Sequence, residues 1–103
     1  MTVQLMTLDY VTMLATTGRA GDIDVLMQRL DNGDSFVERK LVDHALGLVE
    51  SREGAQRIRH YLFAGTLIQR NYAALYFKRR NAVELLADAV ASGAIDTVQA
   101  FAR

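Results

Sequence analysis

Residues 21–33 read GDIDVLMQRLDNG, residues 54–65 read GAQRIRHYLFAG and residues 81–93 read NAVELLADAVASG. Ten, seven and three residues before the last glycine of each stand Ile23, Leu26 and Leu30; Ala55, Ile58 and Leu62; Val83, Leu86 and Val90. Those offsets put three apolar side chains on one helical face and leave the glycine where a helix stops in left-handed backbone. Gly33, Gly65 and Gly93 are 32 and 28 residues apart, a period at which helical hairpins stack into solenoids.

Helix signals continue on both sides of these segments. Ser35 with Glu38, Thr66 with Gln69, Asn81 with Glu84 and Asp96 with Gln99 read as capping boxes, each pairing a capping side chain with one that reaches back to its amide. With glycines as breakers and no proline anywhere, helices are expected at 4–17, 22–32, 35–50, 53–64, 66–80, 82–92 and 96–102. Strand signals are scarce: Asn32-Gly33 leads into a helical period and not into an alternating run. The expected fold is all-α, a short right-handed stack of antiparallel helical hairpins with about seven helices, residues 1–103 forming one helical-repeat domain.

The segments 21–33 and 81–93, and 54–65 more loosely, resemble the second helix and closing glycine of the ankyrin family. The Thr-Pro-Leu-His signature of that family is absent, and the helices at 35–50 and 66–80 are long for it, so a HEAT-like hairpin repeat is the companion reading. Either resemblance implies a protein-binding module without catalysis.

At 103 residues, half of them apolar and 23% charged, the chain has the composition of a folded domain. It contains no cysteine, which removes disulfides and thiolate metal sites and suits a reducing compartment. The start MTVQLMTLDY lacks the basic flank and apolar core of a secretory signal, and no apolar run approaches the ~18 residues that span a bilayer. A cytoplasmic protein without membrane contact is expected. Formal charge sums to zero but is uneven: residues 1–50 carry four basic and eight acidic groups, residues 51–80 seven and one, residues 81–103 one and three.

Candidate surfaces follow from helix faces. On 35–50 the apolar face reads as Val37, Leu41, Val42, Ala45, Leu46, Leu48 and Val49, which leaves Arg39, Lys40, Asp43, His44 and Gly47 for solvent or a partner. On 53–64 the face opposite Ala55, Ile58, Tyr61 and Leu62 gathers Arg52, Gln56, Arg59, His60 and Phe63, a ring among cations. Helix 66–80 is apolar around much of its circumference; Asn71 falls in the Leu67, Ile68, Leu75 stripe and is expected as a buried, hydrogen-bonded amide. Arg70 joins the partner-binding candidates.

Only two histidines are present, His44 and His60, sixteen residues apart, and no phosphate-binding Gly-rich loop, nucleophile elbow or calcium loop appears. No catalytic, cofactor-binding or metal-binding residue is expected. The leading expectation is a non-enzymatic adaptor or regulator that binds another protein. A nucleic-acid binder using the basic 52–80 segment, through Arg52, Arg57, Arg59, Arg70, Arg79 and Arg80, and a self-assembling subunit such as a homodimer are the alternatives.

Overall fold

The computed structural model of the protein describes residues 7–32 and 35–102. Seven α-helices follow one another there: α1 (Leu8–Thr17), α2 (Ala20–Asn32), α3 (Phe36–Gly47), α4 (Arg52–Ala64), α5 (Leu67–Arg79), α6 (Val83–Ala91) and α7 (Thr97–Phe101). The described residues contain no strand, and the fold is all-α as the periodicity implied. The chain divides into two compact units, Met1–Ala55 and Gln56–Arg103. In the first, α1, α2 and α3 pack pairwise against one another; in the second, α5, α6 and α7 do the same.

The first unit closes over Val11, Ile23, Leu26, Met27, Leu30, Val42 and Val49, all fully buried. Removing each from water is worth about 1.5–3 kcal/mol, which is what holds three short helices together against their chain entropy. Its loops are tied by a serine. Ser51 Oγ donates to the Gly18 carbonyl at 2.7 Å and accepts from the Gly54 amide at 3.1 Å. Nearby, Glu53 Oε2 accepts from the Ala20 amide at 2.6 Å. The end of α1 is thereby fastened to the first turn of α4.

This contact requires glycine on both sides. Gly18 ends α1 with φ +61°, and a Cβ there would stand 2.1 Å from Ser51 Oγ. At Gly54 a Cβ would stand 2.5 Å from Val49 Cγ1. No side chain fits without displacing the half-buried Ser51 at the first position or the buried Val49 at the second.

The second unit is held by local hydrogen bonds at its helix ends. Thr66 with Gln69 and Asp96 with Gln99 form complete capping boxes at the starts of α5 and α7. Helix α5 ends on Asn81 at φ 56°, with Asn81 N–H on the Lys78 carbonyl at 3.1 Å and Ala82 N–H on the Phe77 carbonyl at 3.0 Å. Helix α6 ends the same way on Gly93 at φ 81°, through Gly93 to Val90 and Ala94 to Ala89, both 3.0 Å. Both are Schellman motifs, which satisfy carbonyls that a helix end would otherwise leave open.

Several local expectations change. Asn81 does not cap α6; it occupies the left-handed stop of α5, and the N-cap of α6 is Ala82, which supplies no side-chain cap. Asparagine suits both roles, because its short amide tolerates positive φ. Ser35 caps α3 through the Glu38 amide, but the Glu38 carboxylate is turned to Arg29 in an ion pair, so the reciprocal half of that box is not made. The apolar triplet is buried in α2, and in α4 through Ile58 and Leu62, yet in α6 Val83 is 59% exposed. Gly65 is not left-handed: only Gly18 and Gly93 have positive φ among the described glycines. Gly65 answers to crowding instead, since a Cβ there would meet the Tyr61 carbonyl at 2.7 Å. Gly33 and residues 4–6 of the first expected helix lie outside the described residues.

Candidate interaction surfaces

The apolar face of α3 and the two residues after it is narrower than the one expected, and Leu41 is half-buried at its edge. Val42, Ala45, Leu46 and Val49 enter the core, while Val37 is 65% exposed and Leu48 41%. Phe36, at the first position of α3, is 67% exposed. At about 100° per residue, Phe36, Lys40, His44, Val37 and Leu48 fall within roughly a third of the helical circumference and run along its length. Of the polar candidates, Lys40 and His44 are exposed and Arg39 and Asp43 half-buried. Lys40 Nζ lies 4.8 Å from the Phe36 ring centroid, so the cation is already seated on the aromatic face. The outer face of α3 is thus an apolar strip carrying Lys40 and His44.

On α4 the expected cluster is present. Gln56, Arg59, His60 and Phe63 line one shallow depression of about 360 Å³. The Arg59 guanidinium lies 5.6 Å from the centroid of the half-buried Phe63 ring. Arg52 is exposed in the first turn of the same helix.

The basic segment does not form one stripe. Arg57 and Arg59 leave α4 about 160° apart, and Arg70 and Arg79 leave α5 about 180° apart. Arg57 lies over Tyr61 at 5.5 Å and Arg80 over Tyr76 at 3.8 Å. Arg70 Nη1 donates to the Ala94 carbonyl at 2.9 Å, tying α5 to the loop before α7. Arg57, Arg59 and Arg80 are thus set against rings, and Arg70 against a backbone carbonyl, of their own unit.

Helix α5 turns a different face inward than its pattern suggests. Asn71 is exposed and Leu67 is 68% exposed, while Ala73, Ala74, Tyr76 and Phe77 are buried. The buried amide is Gln69, whose Oε1 accepts from the Thr66 amide at 2.9 Å as part of the capping box.

A second apolar surface was not anticipated from the sequence. Where α5 ends and α6 and α7 converge, Leu75, Val83, Leu86, Ala100 and Phe101 line an open groove of about 360 Å³. Lys78, half-buried, and Arg79, exposed, form its basic rim. The groove exists because Val83 is out of the core and because α7 is only one and a half turns long, leaving Phe101 half exposed.

Among the described residues no three of His, Asp or Glu gather as a metal site, and no helix is long and apolar enough to cross a membrane. Comparison with family models, curated proteins and solved structures gave no match to this chain.

Proposed function

We propose that this protein is a non-enzymatic protein-interaction module of the helical-repeat type, ankyrin-like or HEAT-like in its hairpin order, acting as an adaptor or regulator in the cytoplasm. The outer face of α3 carries the reading. Phe36, Val37 and Leu48 hold apolar surface in water beside Lys40 and His44, the composition of a contact core with a polar edge. Phe36 is the anchor: a rigid aromatic loses little entropy when buried, and anchors of this kind dominate binding energy. The dispersal of Arg57, Arg59, Arg70 and Arg79 over opposite helix faces favours a protein partner over nucleic acid, which rewards one continuous cationic track.

A photo-crosslinking amino acid at Val37 in the full chain, activated in the cells that make the protein, tests this. The expected result is a discrete adduct with one polypeptide that disappears with Phe36→Asp. An adduct sensitive to nuclease, or none at all, overturns the reading.

A further inference from the structure

The groove of the second unit and the outer face of α1 are complementary in chemistry. The groove has an apolar floor with Lys78 and Arg79 at its edge. Helix α1, LDYVTMLATT, contains no basic residue. Its outward side presents Leu8 at 52% and Met13 at 50% exposure, with the exposed Asp9 between them in angle. The wider charge distribution runs the same way. Met1–Ala55 holds nine acidic and five basic residues, and Gln56–Arg103 holds three and seven, a net −4 against a net +4. Two copies meeting like unit to like unit bring equal charges together, whereas unlike units attract.

We propose that the occupant of the groove is α1 of a second copy of this chain, giving a head-to-tail association. Leu8 and Met13 of one copy enter the groove beside Val83 and Phe101 of the next, and Asp9 meets Lys78 and Arg79 at the rim. The contact is heterologous, so a joined pair retains one free groove and one free α1, and growth continues until geometry or concentration stops it. A ten-residue helix is only about 15 Å long, which places the contact at the small end of interface sizes and makes the association concentration-dependent. Salt weakens it by screening the rim pair. This association uses neither Phe36 nor His44, so it stands apart from the α3 reading.

The test is complementation, read by light scattering and sedimentation equilibrium on the full chain. One variant, Leu8→Ser with Met13→Lys, spoils α1; another, Lys78→Glu with Val83→Glu, spoils the groove. All four positions are exposed or half-buried, and circular dichroism checks that each variant keeps its helices. The wild-type chain is expected to grow past a dimer as concentration rises, each variant to stay monomeric, and an equimolar mixture of the two to form a 1:1 dimer that grows no further. A wild-type chain that is monomeric at high concentration overturns the proposal, as do variants that associate like the wild type or a mixture that stays monomeric. The Val37 crosslink is measured in the same two variants; its loss or survival judges the α3 reading separately.

Discussion

The two units are built from the same element, a cluster of three short helices, yet they are secured in opposite ways. The first depends on side chains being absent: Gly18 and Gly54 let Ser51 join the end of α1 to the start of α4 across 33 residues of chain. The second depends on polar groups being present at helix ends, almost all within five residues of their partners. A contact that requires empty space fails abruptly when filled; a set of local caps loses stability by small, independent steps.

The sharpest break in that contrast comes from alanine at the two tight glycines. Gly18→Ala and Gly54→Ala should each lower unfolding free energy by about 3 kcal/mol, from positive φ and overpacking at the first and overpacking alone at the second. Urea titration measures the loss. Hydrogen exchange should show it first in α1 to α3. Ser51→Ala comes next, at about 2 kcal/mol, because the Gly18 carbonyl and Gly54 amide lose their shared partner. In the Ser51→Ala background Gly18→Ala should cost visibly less than alone, since the nearest atom in its way is gone; strict additivity would mean that the hydroxyl contact is not the constraint.

Gly93→Ala separates conformation from crowding. Its φ of 81° is as left-handed as that of Gly18, but nothing lies within 4 Å of the added methyl, so only the backbone term of about 1 kcal/mol is expected. A loss equal to that of Gly18→Ala would erase the difference drawn between the units. Smallest of all, Phe36→Asp should change stability by less than about 0.5 kcal/mol, because the ring is two-thirds exposed and touches the core little. A large destabilisation would show that Phe36 serves the fold and not a partner.

The existence of the seven helices among the described residues was legible in the sequence because its causes are local: capping residues, glycine stops and a 3.6-residue apolar period. Which face each helix buries was legible where one stripe stands out, as with Ile23, Leu26 and Leu30, and not where apolar residues surround the helix. On α5, Leu67, Ile68 and Leu75 compete with Ala73, Tyr76 and Phe77, and only neighbouring helices decide between them. The α4 cluster of Gln56, Arg59, His60 and Phe63 followed from spacing alone. The exposure of Val37 and Leu48 did not, since it results from how α3 rolls against α1 and α2. The groove was equally hidden, as it joins residues from three helices, and Ser51 gave no sign that its hydroxyl reaches back to Gly18.

That reach also sets an order of events at the ribosome. The residues of α1 to α3 are all made before Ser51, and at 5–20 residues per second the serine follows Gly18 by roughly two to seven seconds. Helices form in about a microsecond, so each helix of the first unit can form as soon as its residues are free of the ribosome, while the tie to the Gly18 carbonyl waits for Ser51. The tie is therefore the last part of the first unit to become available, and a chain cut short before Ser51 holds all three helices without the hydroxyl that joins Gly18 to Gly54.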